Sequence, residues 1–366
     1  MRRALLSLLA CAACARAPAR RPGTDSIAAR LERIVARDAR LPGVVFAISA
    51  PELSFSGAAG RLSRRSGARA ATADDLFRTA SITKTFVAVA ALRAQEAGQL
   101  HLDTPVDSLL SPQSVRALTG GGYDPGRITL RMLLQHTAGI FDYTEAPSFY
   151  DTLAVDPTHR WTRAEQLALA MNEGSPLHAP ARDYRYGDTH YILAAEAVER
   201  ATGQGLAAVL RGAAGDLDLA DTHLESLEPG PGDAAERLIH PYIGGIDTRE
   251  WDPSWDLYGG GGLVSSAPEL VVFFDALFRG ELLGGAAMEE LTTVPAVGEG
   301  AFFGIDGGMG INRFFLSDGS ACWAGYGFFT SEVVHCPSLG ATWAGSLNQS
   351  SPRNPNAITN LALGAL

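Results

Sequence analysis

Segments with the pattern of β-strands lie at both ends of this chain, and a long helix-rich stretch separates them. Compact apolar runs at residues 43–48 and 53–59 predict two strands near the amino end. Because strands at both ends of the chain need partners, we expect one antiparallel sheet built from both ends. Four more strands are expected near the carboxyl end, at residues 310–316, 321–329, 332–336 and 341–347.

Helical spacing of apolar residues marks the flanks and the middle of the chain. The clearest helix covers residues 81–97, is rich in Ala, Val and Leu, and ends near Gly98. Together the elements predict an α+β fold, an antiparallel sheet flanked by helices and interrupted by a helix-rich insert. Further helices are expected at residues 27–36, 192–201, 268–279 and 357–363.

The chain is expected to divide into a leader and one folded domain. Residues 1–22 are a signal and tether, and residues 23–366 are the domain. Within the domain, an α/β part takes up about residues 25–80 and 265–366, and a helical part takes up about residues 81–264.

Composition limits the kinds of partner. Hydrophobic residues make up 46% of the chain, as in a folded core, and the formal net charge is -10. The first 22 residues contain five Arg and no acidic residue, so the remainder is more acidic than the whole. An acidic surface argues against a nucleic-acid partner.

The amino terminus has the three parts of a secretory signal. The basic letters MRR precede the apolar letters ALLSLLACAACA, and an Arg- and Pro-rich stretch follows. Two processing routes remain open. Residues 8–11 (LLAC) resemble a lipobox that would place a lipid on Cys11, and residues 13–15 (ACA) resemble an ordinary cleavage site. Both predict transport across the inner membrane to the periplasm, with or without a lipid anchor.

Lysine is almost absent from this sequence. Of the 30 basic residues, 29 are Arg, and Lys84 is the only lysine. Guanidinium keeps its proton near neutral pH, whereas an ammonium can lose one when its pKa is lowered. Ser81 lies three residues before Lys84, so a helix places both on one face. We therefore expect Ser81 to be a nucleophile and Lys84, with a lowered pKa, to be its base.

Other catalytic patterns are missing from the sequence. It has no G-x-S-x-G, no Gly-rich loop followed by G-K-[ST], and no H-E-x-x-H. No cofactor and no metal are therefore expected.

Residues 76–84 (LFRTASITK) resemble the active-serine motif of the serine β-lactamase and penicillin-binding superfamily, in its class C-like branch. That branch contains class C β-lactamases, D-alanyl-D-alanine carboxypeptidases and related esterases. The resemblance extends in order and spacing from about residue 25 to 350 and implies the β-lactamase-like (DD-peptidase) fold. Four further stretches carry it: 133–140 (LLQHTAGI) resembles L-L-x-H-T-S-G, 184–191 (YRYGDTHY) resembles F-x-Y-S-N-x-x-Y, 260–263 (GGGL) resembles a Gly-rich turn, and 322–327 (CWAGYG) stands where K-T-G or H-x-G is expected.

The resemblance implies roles for individual residues. Ser81 would attack a carbonyl and form an acyl-enzyme, Lys84 would share the proton, and Tyr186 would be the second acid/base group. The backbone N–H groups of Ser81 and Tyr326 would form the oxyanion hole. His136, in the H-T-A-G loop, is expected to be structural.

Two positions depart from the family pattern. Asp188 replaces an Asn, and near Lys84 its charge would favour the ammonium form. Trp323 replaces the Lys or His that would bind a substrate carboxylate. We expect Asp188, Trp323 and Gly325 to contact the substrate.

The resemblance implies that the substrate is a small-molecule ester, a peptide or a β-lactam. Because β-lactams and peptidoglycan stems carry a carboxylate, loss of the cation at position 323 favours an esterase. A D-alanyl-D-alanine carboxypeptidase or β-lactamase is the alternative. A non-catalytic relative that binds peptidoglycan or a partner also remains open, and oligomeric state is undetermined.

Four cysteines are present, and two of them lie in the signal. Cys322 and Cys336 flank an apolar stretch that contains a turn, where they would either form a disulfide or remain two buried thiols.

Overall fold

The computed structural model describes residues 27–297, 301–302 and 305–366. The signal and the lipid anchor predicted at Cys11 lie outside the described residues. The strands are β1 (Gly43–Ala50), β2 (Leu53–Gly60), β3 (Leu76–Arg78), β4 (His223–Leu224), β5 (Tyr242–Ile243), β6 (Ile246–Asp247), β7 (Leu263–Ser266), β8 (Ala301–Phe302), β9 (Ile305–Gly307), β10 (Asn312–Phe315), β11 (Ala321–Gly327), β12 (Ser331–Cys336) and β13 (Ala341–Ser346).

The helices divide between the sheet flanks and the middle of the chain. They are α1 (Ile27–Arg37), α2 (Thr83–Glu96), α3 (Val106–Leu109), α4 (Pro112–Gly120), α5 (Leu130–Leu134), α6 (Pro147–Val155), α7 (Arg163–Glu173), α8 (Asp188–Thr202), α9 (Leu206–Ala213), α10 (Ala234–Arg237), α11 (Ala267–Phe278), α12 (Gly285–Thr292) and α13 (Ala357–Leu363). Among the described residues, none of these helices is long and apolar enough to cross a bilayer.

Eight strands form one antiparallel sheet in the order β2-β1-β13-β12-β11-β10-β9-β8. Its centre joins the two ends of the chain, because β1 pairs with β13, for example at Val45 and Ser346. The predicted α+β architecture is therefore confirmed. Helices cover both faces of the central strands, and this explains why the strands at both chain ends appear in the sequence as long apolar runs.

The two faces of the sheet pack against different helices. α1 and α13 cover one face around Phe46, Trp343 and Ile358. α11 and the helical part cover the other face, and the larger apolar core lies there. α2 is buried on nearly all sides, which explains its run of Ala, Val and Leu.

Small strands inside the middle of the chain were not predicted. β3, β7 and β4 form a three-stranded sheet, and β5 pairs with β6. Strands of two to four residues are too short to show a period of two, so alternation of apolar residues does not reveal them. β3 and β7 matter for the site, because β3 leads directly to Ser81 and β7 follows the Gly-rich turn.

Candidate active site

A sharp turn presents Ser81 at the start of α2. Ala80–Ile82 form a single turn of 3-10 helix between β3 and α2. Ala80 has a φ of 49°, a left-handed conformation that costs energy for a residue with a Cβ. Ala80 and Ile82 are buried whereas Ser81 is partly exposed, so the turn directs this hydroxyl outwards from the core.

The side chains of Lys84 and Tyr186 both contact the hydroxyl of Ser81. Lys84 Nζ lies 2.9 Å from Ser81 Oγ, as expected for residues one helical turn apart. Tyr186 comes from the segment before α8, and its hydroxyl lies 2.8 Å from the same oxygen. The structure thus brings together the three residues that the sequence placed in catalysis.

Lys84 is held as a saturated ammonium. Besides Ser81 Oγ, its Nζ donates to the Gly260 carbonyl at 2.5 Å and forms an ion pair with Asp188 Oδ1 at 2.5 Å. Burial acts to lower the pKa of Lys84, but the Asp188 carboxylate outweighs burial, and the pKa lies above its ordinary value. The expectation of a lowered pKa is therefore wrong, because the Asp that replaces the family's Asn stabilises the charged amine.

Two further carboxyl groups lie near this ion pair. Asp142 accepts hydrogen bonds from Thr144 and Thr189. The carboxyl group of Asp256 lies so close to Gly261 that a Cβ there would collide with it. Burial, and after it the charge of Asp188, raises the pKa of both Asp142 and Asp256. Sequence reasoning missed both, because an acid in a Gly- and Thr-rich loop looks like an ordinary turn residue.

Tyr186 keeps its proton at neutral pH. Burial raises the pKa of its phenol to about 12, although Lys84 opposes the increase. A neutral phenol 2.8 Å from Ser81 Oγ is a hydrogen-bond donor, so in this state Tyr186 is suited to protonating a leaving group.

β11 positions the expected second donor of the oxyanion hole. Cys322 and Cys336 face each other with a Cα–Cα distance of 4.3 Å, which marks a pair without mutual backbone hydrogen bonds. By alternation, Tyr326 is also such a residue, so its N–H points away from β12 and towards the opposite edge of β11. β11 packs against the turn of Ser81, where the first N–H groups of a helix also lack partners within it.

Comparison with known proteins agrees with this geometry. The model of the family described as Beta-lactamase matches residues 27–366. The chain belongs to the beta-lactamase family. Esterase EstB of Burkholderia gladioli is 30% identical to it over 320 residues, which are 76% of this chain and 78% of that protein.

Solved structures of the same fold include two amide hydrolases. A D-stereospecific amidohydrolase from Streptomyces sp. is 28% identical, with a TM-score of 0.76 over 90% of this chain and 95% of that one. A D-amino acid amidase from Ochrobactrum anthropi SV3 is 23% identical, with a TM-score of 0.76 over 93% and 97% of the two chains. A serine-hydrolase activity follows from the family together with the similarity to esterase EstB and to the Streptomyces amidohydrolase.

In β11, Trp323 occupies the position at which the usual pattern of the beta-lactamase family has a Lys or a His. Trp323 is partly exposed and packs on the side of the sheet that faces the helical part. Its cross-strand neighbour is Arg313, whose guanidinium carbon lies 5.9 Å from the Trp323 ring centre. A cation is therefore present beside position 323, although not at it.

Asp188 and Gly325, which are expected to contact the substrate, both have close contacts inside the protein. Asp188 is engaged by Lys84, and only 14% of its side chain is exposed. Gly325 is buried, and a Cβ there would lie 3.4 Å from Thr85 and from Phe274. These contacts give Asp188 an electrostatic effect on Lys84 and give Gly325 a role in the close packing of β11 on the helices.

A disulfide joins Cys322 to Cys336 on the far side of β11. Both residues are buried in the core beneath α1 and α13, whereas Trp323 faces the opposite side. The bond ties β11 to β12 immediately before the segment that carries Tyr326.

Proposed function

We propose that this protein is an esterase that hydrolyses carboxylic esters through an acyl-enzyme on Ser81. The observation that carries the proposal is the position of Ser81 Oγ, 2.9 Å from Lys84 Nζ and 2.8 Å from the Tyr186 hydroxyl. A serine hydroxyl becomes an effective nucleophile only when a neighbouring group accepts its proton.

In acylation, Lys84 must lose one proton before it can accept the proton of Ser81. The ammonium passes a proton to Asp188, 2.5 Å away, and then accepts the proton of Ser81 as Oγ bonds to the ester carbon. Tyr186 protonates the leaving oxygen when the bond from the ester carbon to that oxygen breaks, and it recovers a proton from Lys84. Asp188 then returns its proton to Lys84. The net result is an acyl-serine and an alcohol that carries the former proton of Tyr186, while Tyr186, Lys84 and Asp188 are back in their starting protonation states.

Deacylation repeats these proton transfers with water as the nucleophile. Lys84 again passes a proton to Asp188 and then accepts a proton from water as the water oxygen bonds to the acyl carbon. The bond between Ser81 Oγ and that carbon breaks, Oγ receives the proton of Tyr186, and the acid product leaves. Tyr186 recovers a proton from Lys84, and Asp188 returns its proton to Lys84. In both steps the N–H groups of Ser81 and Tyr326 stabilise the negative oxygen of the tetrahedral intermediate.

Trp323 supports an ester without a carboxylate as the substrate. An indole offers one donor and no charge, so the strand lacks the cation that would recognise a β-lactam or a peptidoglycan stem. The similarity to an esterase over 78% of that protein supports the same conclusion.

A carboxylate-bearing amide or peptide is the second candidate. Arg313 lies beside Trp323, and a guanidinium can bind a carboxylate in two-point fashion. The 28% identity to a D-stereospecific amidohydrolase also favours it.

A substrate panel tests both candidates. Short-chain p-nitrophenyl esters, nitrocefin, a D-amino acid amide and a D-Ala-D-Ala peptide are compared at equal enzyme concentration, with Ser81→Ala as the control. We expect turnover of the esters, and an acyl or fluorophosphonate adduct on Ser81 by mass spectrometry. Preferred turnover of the amide or peptide would favour the second candidate. Absence of both turnover and labelling would leave only a binding role.

We also propose that the protein acts outside the cytoplasm, with or without a lipid on Cys11. The signal pattern of the first residues supports export, and a disulfide between Cys322 and Cys336 suits an oxidising compartment. Fractionation of cells that express the full chain, compared with Cys11→Ser, tests this: release of the variant from the membrane fraction indicates the lipid anchor.

A further inference from the structure

The backbone N–H and the backbone carbonyl of Gly187 each contact a buried histidine. The Gly187 N–H donates to His136 Nδ1 at 3.3 Å, and the Gly187 carbonyl oxygen lies 3.3 Å from His190 Nδ1. A carbonyl can only accept, so His190 Nδ1 must carry a proton, and His136 Nδ1 must not. The two rings are therefore neutral imidazoles of opposite tautomer.

Gly187 separates Tyr186 from Asp188. Tyr186 reaches Ser81 Oγ and Asp188 reaches Lys84, so the two peptide groups that flank the Cα of Gly187 link both halves of the proton path. We propose that His136 and His190 are positioning residues that clamp the backbone of Gly187, one on each of these peptide groups, and so hold Tyr186 and Asp188 against Ser81 and Lys84. This inference rests on the proposed function and adds two residues to its machinery.

His136 holds the chain on both sides of Tyr186. Its own carbonyl accepts from Arg185 N at 2.8 Å, while its ring accepts from Gly187 N. The centres of the His136 and Tyr186 rings are 4.5 Å apart. His136 adopts a φ of 56°, a strained conformation that lets its carbonyl and its ring bind the same segment.

Burial keeps the two rings neutral. Both histidines are buried, and burial lowers the pKa of His136 well below its ordinary value and lowers that of His190 to about 4. Within the described part of the chain, His190 Nε2 is buried without a hydrogen-bond partner. An unprotonated Nε2 suits such a position better than a protonated one, because an N–H there would have no acceptor. A second proton on His136 would set a donor against the Gly187 N–H and break the clamp.

Glycine at position 187 permits this close approach. A Cβ there would lie 3.1 Å from His190 Nδ1 and 3.2 Å from the Cβ of Asp142. The small residue in the Tyr-Gly-Asp sequence is thus matched to the histidine three residues later.

Variants of His190 with different leaving groups test the clamp. His190→Leu removes the donor, whereas His190→Asn keeps an N–H near the position of Nδ1. Because Tyr186 protonates the leaving group, a displaced Tyr186 matters most for poor leaving groups. We expect His190→Leu to lower kcat about 10²-fold on an alkyl ester, by analogy with misplaced catalytic groups. On the matching p-nitrophenyl ester the loss is less than about tenfold. KM changes little, and His190→Asn recovers most of the alkyl-ester rate.

Equal losses on both esters, or no recovery in His190→Asn at matched thermal stability, would show a general structural effect and overturn the clamp. A second measurement uses the unmutated protein: nitrogen-15 NMR should find His190 protonated at Nδ1 and His136 at Nε2. The reverse tautomers would also refute the clamp. If the unmutated protein fails to acylate Ser81, the proposed function fails, while the NMR result still decides whether the clamp exists.

Discussion

At the scale of single residues, the ammonium group of Lys84 contacts Ser81, Gly260 and Asp188. The S-x-x-K spacing and the uniqueness of this lysine were enough to predict its contact with Ser81, because helical geometry fixes residues three apart. The protonation state was predicted only in part, because the S-x-x-K pattern favoured a lowered pKa of Lys84 whereas the Asp at position 188 favoured the ammonium. It depends on Asp188, Gly260 and Asp256, which come from separate parts of the chain and converge only in the fold.

Replacement of Lys84 by arginine tests the proton path. Lys84→Arg keeps the positive charge but cannot pass a proton near neutral pH. We expect acylation to fall at least ~10²-fold, the lower end of the range for loss of a general base. Stopped-flow measurement with a p-nitrophenyl ester gives the rate, and thermal unfolding shows whether the larger side chain is tolerated. Near-normal turnover would exclude Lys84 as the group that moves the proton.

Replacement of Asp188 tests its electrostatic role. Asp188→Asn removes the carboxylate that raises the pKa of Lys84, so that pKa falls and Lys84 can lose its proton to solvent in place of Asp188. If rate depends on deprotonation of Lys84, the acidic limb of the pH–rate profile moves to lower pH. We also expect activity on nitrocefin or the D-Ala-D-Ala peptide to increase, since the variant restores the family's Tyr-x-Asn sequence. Identical pH profiles would show that Asp188 is not coupled to the site.

Among the elements, β11 combines several functions in seven residues. Trp323 faces the helical part, the N–H of Tyr326 points away from β12, and Cys322 binds β12 from the other face. Sequence reasoning located this strand because its apolar run is long. It could not determine the contacts of Gly325, since a glycine leaves no side-chain pattern and its neighbours Thr85 and Phe274 lie far away in sequence.

Loss of the disulfide tests how firmly β11 is tied. Cys322 and Cys336 are separated by 14 residues, and a loop of this size contributes about 3 kcal/mol in the chain-entropy account. Urea unfolding of Cys322→Ala, Cys336→Ala and the double variant measures it. Each single change already breaks the bond, so all three should lose about the same free energy of unfolding. Additive losses would mean that the bond itself contributes little.

For the whole molecule, the two-layered arrangement places an acid deep inside the smaller core. Glu332 lies opposite Tyr326 and accepts hydrogen bonds from Thr359 at 2.6 Å and Trp343 at 3.2 Å. Burial raises the pKa of its carboxyl group to about 7. Its neutral form is favoured in the fold, so this contribution to stability is complete below the unfolded pKa and is lost as pH rises through about 7.

Glu332→Gln should therefore stabilise the protein in a pH-dependent way. The amide oxygen still accepts the two hydrogen bonds but never ionises. Between pH 4.5 and pH 8, the stability of the variant relative to the unchanged protein should increase by about 3 kcal/mol. Chemical denaturation at both pH values measures this, and Glu289→Gln on the exposed surface is the control. A difference that does not vary with pH would show that Glu332 is not buried as an acid.

The pairing of β1 with β13 has a consequence for how the molecule is made. These neighbours at the centre of the sheet lie about 300 residues apart, as in the pairing of Val45 with Ser346. Synthesis delivers the chain from its amino end, so β1 can pair with β2 early but must wait for β13 until nearly all of the polypeptide has emerged. Contacts of such long range form slowly. During synthesis, the edge of β1 that later binds β13 therefore stays unpaired, and we expect a chaperone that shields exposed strands to act at this stage.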